Sequence, residues 1–263
     1  WGHYYHPYVS LGDAERNRGA MMNYNRIMGL ILVDRFPDST TSRQLQSYLQ
    51  TGPANQSWGF LSHEEFLWNN PVQAVTTPTL LTNYSPGQGQ LLMRSGWPNG
   101  AGDVNGAAAA KNPTYVTFQA GDHFSYHQHF DQNSFTLSKG GDLLVDSGVY
   151  SGDGLSDHDI NYYVRTIAHN TLVVYNAAEE FSSSRPDATS NDGGQRSLYP
   201  ATRAPQSTTE WDRNRTSYDT TDITRYQDTS AYTYALGDAT KAYNSTSYNQ
   251  AAAQVGLPGN IAK

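Results

Sequence analysis

GDHFSYHQHFDQNSFTLSKGGDLLVDSGVYSG, residues 121–152, holds two short alternating runs on either side of a glycine turn. Residues 133–138 and 142–147 follow the two-residue period of a half-buried β-strand. Lys139-Gly140-Gly141-Asp142 between them is a turn signal. The stretch therefore reads as two strands joined by a tight Gly-Gly turn.

The same texture continues in both directions from about residue 75. Further runs lie at 79–84, 90–95, 114–120, 171–175, 216–227 and 231–236. Ser85-Pro86-Gly87, Gly96-Trp97-Pro98-Asn99-Gly100 and Asn191-Asp192-Gly193-Gly194 separate them as turns or loops. The Gly/Ala-rich stretch 99–110 and the Ser/Pro/Asp-rich stretch 182–206 read as long surface loops. Many short strands between turn signals predict an antiparallel β-sandwich over residues 73–263, so the chain is mainly β.

Residues 1–72 differ. Ala14, Ala20, Met21, Tyr24, Ile27, Met28 and Ile31 recur at helical spacing within 13–35, with Asp13 as N-cap. Residues 40–50 form a second helical pattern, stopped by Thr51-Gly52-Pro53. A third spans 62–69, where Ser62 precedes Glu65 by three residues and Asn70-Pro71 ends the run. Neither end of the chain reads as a natural domain edge, and we expect a piece of a longer protein.

Composition narrows the function. Of 263 residues, only 16% are charged, while 19 Tyr and 5 Trp suit a β-fold and also the stacking of sugar rings. A formal net charge of −7 argues against nucleic acid as a partner. It leaves room for a polyanion, because a local cationic cleft or a metal supplies charge that counting misses. No Cys is present, so a transition metal has only His and carboxylate to hold it. The longest apolar run, Ile27 to Val33, falls short of a bilayer span, and no membrane partner is expected.

His127 and His129 alternate, so on a strand they share a side. The second strand delivers Asp146, and His169 opens a later one. Two His and one Asp can make a three-ligand site with an open position, with Asn133 and Asn170 as hydrogen-bonding supports. Read from residues alone, surface or core histidines remain the alternative.

These strings together resemble the heparinase II/III-like polysaccharide lyases. That family carries H-x-H-x-D at a strand opening, D-x-G-x-Y after a glycine turn, and Y-x-R-x-x-x-H-N-T. Here they stand as His127-Gln128-His129-Phe130-Asp131, Asp146-Ser147-Gly148-Val149-Tyr150, and Tyr163-Val164-Arg165 through His169-Asn170-Thr171. Gly237-Asp238-Ala239-Thr240-Lys241-Ala242-Tyr243 is similar to a later family strand, and residues 1–8 to the end of the family's catalytic toroid.

The resemblance implies an (α/α) toroid, ending within residues 1–72, joined to the sandwich with a cleft between them. It implies β-elimination on a uronate-containing acidic polysaccharide such as alginate, heparin, heparan sulfate or hyaluronan. By the family pattern His129, Asp146 and His169 hold a structural zinc, while His127 faces the cleft and assists catalysis. A toroid Tyr transfers the proton; by position it is Tyr5, with Tyr4 and Tyr8 as rivals. Tyr163 lines a substrate subsite or simply packs. Arg165 pairs with the uronate carboxylate or forms a structural ion pair under a loop. The group that neutralises the carboxylate is expected upstream of Trp1, from a companion chain or a missing toroid segment. A secreted or periplasmic location goes with this family.

Two other readings compete. One is a non-catalytic carbohydrate-binding or scaffold fragment that keeps the metal site; the other is a zinc hydrolase. Of the remaining histidines, His63 reads as surface, His123 has no clear partner and His158 sits in a solvated loop between Asp157 and Asp159.

Overall fold

Helical spacing upstream gives three packed helices. The structure, a computed structural model, describes residues 23–51, 62–76, 78–97, 113–123, 128–148, 158, 162–177, 192–195 and 205–244. Helix α1 spans Asn23–Arg35, α2 Thr40–Thr51 and α3 Ser62–Trp68. Leu30 and Val33 of α1 pack on Leu49 of α2, with Ile27, Leu45 and Trp68 around them. Arg26 joins all three helices: its guanidinium forks onto Glu65 at 2.8 and 2.6 Å and donates to the Leu49 carbonyl at 2.8 Å. The expected start of the first helix, residues 13–22, lies outside the described residues. No helix among the described residues is long and apolar enough to cross a membrane.

Five strands follow in a meander. They are β1 Thr82–Ser85, β2 Gln90–Arg94, β3 Tyr115–Gln119, β4 Ser134–Ser138 and β5 Asp142–Leu144, paired antiparallel in that order. Leu91 faces Phe118 across β2–β3, and Thr117 faces Thr136 across β3–β4 with a 2.7 Å hydroxyl bond. Gly89 makes the first turn at φ 61, and a Cβ there would lie 2.1 Å from the Ala120 carbonyl.

A second, two-stranded antiparallel sheet joins β6, Asp222–Asp228, to β7, Thr233–Asp238. The two sheets meet through the Tyr84 and Tyr226 rings, 4.6 Å apart, and through Thr82 Oγ1, 2.9 Å from Thr233 Oγ1. Asn133 Nδ2 donates to the Gly237 carbonyl at 3.0 Å. This is the expected antiparallel β-sandwich.

Four expectations need correction. Residues 142–147 were expected as one strand, but β5 ends at Leu144, because the Ser147 and Gly148 N–H groups both turn to the Ala168 carbonyl. Residues 171–175 join neither sheet: Thr171 N–H returns to His169 O and Val174 N–H goes to Gly193 O. Where a strand was expected to begin at 216, helix α4 occupies Thr208–Tyr218, and β6 starts only at Asp222. Ser207 caps α4 by accepting from Glu210 N–H, while Glu210 accepts from Gln206 N–H at 3.0 Å. The stretch 237–243, read as a strand, is the end of β7 followed by helix α5, Thr240–Asn244, started by Asp238 accepting from Thr240 N–H.

Lys241 of α5 draws Asp219 and Asp222 together at 2.7 and 3.0 Å. Nearby Asp122 is pushed up to about 6: burial raises it, the charges of Asp219 and Asp222 add to this, and the Thr220 backbone and Arg215 offset it only in part. A raised carboxyl pKa means that the folded state holds the proton more tightly than the unfolded one. Its stabilising contribution is full below the ordinary carboxylate value and is lost as pH rises through about 6. Asp122→Asn is therefore expected to stabilise the fold at pH ~8, by on the order of 1 kcal/mol after allowance for solvent screening, and to change little at pH ~4. Urea titrations at the two pH values check this; an equal effect at both would contradict it.

Candidate metal centre

The motif side chains converge inside the sandwich. His129, Asp131, Asp146 and His169 are 1%, 0%, 4% and 7% exposed. His129 and Asp131 are two apart, so an extended backbone sends both to one side. Phe130 between them donates its N–H to Val164 O at 2.9 Å, laying this segment beside the one that leads to His169.

Asp146 is fixed by its own loop. Gly148 N–H donates to Asp146 Oδ1 at 2.8 Å, and His169 Nδ1 lies 2.7 Å from the same oxygen. Asn170 Nδ2 bridges the Phe135 and Val145 carbonyls at 3.0 and 2.8 Å, which holds the loop against β4. Asn170 thus bonds main-chain carbonyls rather than a ligand side chain, and Asn133 ties the two sheets together. No side chain fits at Gly148: a Cβ would sit 2.3 Å from Tyr163 O and 2.4 Å from His169 Cε1.

One ligand atom each from Asp131, Asp146 and His169 lies within 4.8 Å of the others. Two of the expected ligands are thereby brought together, and the third member of the compact group is Asp131. His129 flanks it, its ring 5.2 Å from that of His169. Asp131 stands last in the H-x-H-x-D motif, where the family resemblance assigns it no role. The signal was the parity of residues 127, 129 and 131.

Burial raises the Asp131 pKa; the neighbouring His169 and His129 oppose this, and Asp146 adds to it. For His169, burial alone would lower the pKa. The Asp146 hydrogen bond and the charges of Asp131 and Asp146 outweigh burial and leave it raised. Asp131 Oδ2 and His169 Nε2 are buried with no hydrogen-bond partner. Each such atom costs ~1–3 kcal/mol if left dry. A divalent ion would satisfy both, and imidazole with carboxylate is a donor set that zinc accepts. The residues present therefore fit a metal.

The other expected site residues fall as follows. Tyr163 is 2% exposed, its ring 5.4 Å from that of His129. Arg165 is 1% exposed, and its guanidinium clasps Asp192 through two bonds of 2.9 and 2.8 Å. The ion pair under a loop is thus the arrangement in this structure. Tyr4, Tyr5, Tyr8 and His127 lie outside the described residues. His123 is buried and stacks on Phe130 at 5.4 Å. His158 is exposed and stacks on Tyr162 at 5.4 Å, so it has a partner that the sequence did not reveal.

No curated protein matches the chain. Among solved structures, a heparinase III with methylated lysines aligns at TM-score 0.48 and 14% identity, covering 89% of this chain and 25% of its own. The heparan sulfate lyase HepC from Pedobacter heparinus aligns at TM-score 0.38 and 21% identity, covering 62% of this chain and 20% of its own. The chain thus spans a quarter or less of these proteins. The sequence profile described as Heparinase II/III-like, C-terminal, matches residues 95–232, more than half of the chain and all three motifs. On that match the chain belongs to the heparinase II/III-like family.

Proposed function

We propose that this chain is the C-terminal part of a lyase that cleaves a uronate-containing acidic polysaccharide by β-elimination. The observation that carries the reading is the family match over residues 95–232, which includes every motif residue of the buried cluster. On this reading helices α1–α3 are the end of the toroid, and an upstream segment or companion chain completes the cleft. A secreted or periplasmic location follows from such a substrate.

His129, Asp146 and His169 hold a structural zinc, with Asp131 beside them. These residues would tie the segment 128–131, the loop after β5 and the segment ending at His169 together through a shared cation. Burial of all four side chains supports bracing over water activation, since a hydrolytic zinc needs a position open to solvent.

In the reaction the C5–H bond breaks and its electron pair becomes the C4=C5 double bond. The C4–O bond breaks in turn, and the departing oxygen takes a proton. Tyr5 donates that proton and, where C5–H and C4–O share a face of the sugar, also removes the C5 hydrogen. His127 serves as base on the opposite face, or polarises the tyrosine. The carboxylate must be neutralised for C5–H to become acidic, and that group is expected upstream of Trp1.

Incubation with heparan sulfate, alginate or hyaluronan, with the upstream segment present, should raise ultraviolet absorbance as unsaturated uronate ends form. His127→Ala is expected to lower that rate by about 10²–10⁴-fold with zinc content unchanged. Chain scission without absorbance would point to a hydrolase. A carbohydrate-binding scaffold is the second reading, favoured by the burial of the whole candidate metal cluster, which suits a brace more than chemistry on substrate. Binding without any scission would establish it.

A further inference from the structure

We infer that His158 and Tyr162 form a sugar-binding subsite that takes one acidic residue of the polymer, with Tyr162 stacking on the ring and His158 contacting its carboxylate or sulfate. This rests on the lyase reading above.

Four rings lead outward from the metal cluster. His169 lies 5.2 Å from His129, His129 5.4 Å from Tyr163, and Tyr163 5.6 Å from His158. The first three are buried, and His158 is exposed. Tyr162, 38% exposed, lies against His158 at 5.4 Å and 30°. The step from dry interior to solvent therefore falls between Tyr163 and the His158–Tyr162 pair.

The pair is also held in place. Tyr162 donates its hydroxyl to Ser147 Oγ at 3.1 Å, and Ser147 in turn donates to the Ala168 carbonyl. Ser147 follows Asp146 and Ala168 precedes His169, so the exposed ring is anchored to both ligand-bearing segments. A fixed aromatic face loses little entropy on stacking with a sugar, and an imidazole N–H beside it suits an anion. Tyr163, the subsite residue expected from the family, and Arg165, expected as a carboxylate partner from its guanidinium chemistry, are both buried, whereas this neighbouring pair offers surface.

The test measures binding of heparan sulfate and alginate oligosaccharides by calorimetry, to the wild-type chain and to His158→Ala, Tyr162→Ala and Tyr162→Phe. His158→Ala and Tyr162→Ala should each weaken binding about tenfold, with melting temperature and zinc content unchanged. Tyr162→Phe keeps the ring and should lose less. A loss confined to heparan sulfate identifies sulfate as the anion; a loss shared with alginate identifies carboxylate. If the wild type binds or cleaves and the variants match it within about twofold, this subsite alone is wrong. Weakening that tracks lost zinc or a lowered melting temperature means the pair is only packing, which also overturns it. If the wild type neither binds nor cleaves either polymer, the lyase reading falls with it.

Discussion

Asp192→Ala is expected to destabilise the fold by ~3–5 kcal/mol, because it breaks a buried ion pair by removing the carboxylate that takes two bonds from the Arg165 guanidinium. Arg165 is 1% exposed, and both of its bonds to Asp192 are charge-assisted and in fork geometry. The same carboxylate accepts from Gly194 N–H at 2.8 Å and so shapes the turn before Gln195. Gln195 then docks on the motif segment: its side chain accepts from Gln132 N–H at 2.9 Å and donates to Gln132 O at 2.7 Å. Loss of Asp192 is therefore transmitted to the residue next to Asp131. The double variant Arg165→Met/Asp192→Ala removes both halves of the ion pair and should be less destabilised than Asp192→Ala alone. Urea denaturation of both variants decides the matter. A cost below about 1 kcal/mol for the single change, or a double variant that is worse, would show the pair to be peripheral.

The parts that could be read in the sequence are those where one local period matches one environment. Strand β4 alternates, β2 and β3 are short β-rich runs bounded by turn signals, and the glycine turn after β4 is explicit, so all three fall within a residue or two of expectation. Helix α4 gave little period to read: in TTEWDRNRTSY only Trp211 and Tyr218, seven apart and stacked at 5.1 Å, mark an apolar face, and Ser207 followed by Glu210 marks its start. Residues 171–175 illustrate the reverse failure. Leu172, Val173 and Val174 have strand-like chemistry, but whether their backbone joins a ladder depends on Gly193, which lies far off in sequence. At the site, Asp146 and His169 were legible through motif spacing, and Asp131 through parity alone. Arg165 was visible but its partner was not, because no local spacing links it to a carboxylate 27 residues away.

Zinc added to the metal-free chain is expected to raise the melting temperature by about 5–10 °C. At a free concentration of ~100 Kd the linkage gives ~2.7 kcal/mol, and 1 kcal/mol moves a chain of this size by about 2–4 °C. The gain would arise because a cation held in this cluster would satisfy buried polar atoms that have no hydrogen-bond partner, Asp131 Oδ2 and His169 Nε2 among them, and would neutralise carboxylates held in a dry interior. His169→Ala should abolish the increment. His129→Ala and Asp131→Asn then separate two ligand sets. The family pattern makes His129 the third ligand, while the compact group contains Asp131. Whichever variant loses the larger share of zinc affinity carries the bond; a supporting neighbour costs only about 10–100-fold. The pH dependence has a definite sign. Both Asp131 and His169 have raised pKa values, so in the metal-free fold their bound protons stabilise at low pH, and that contribution is lost as pH rises through the raised values. Zinc replaces those protons, so the increment should grow over the same rise in pH. A melting temperature indifferent to zinc at every pH, or one that responds equally in His169→Ala, would show that this cluster holds no metal.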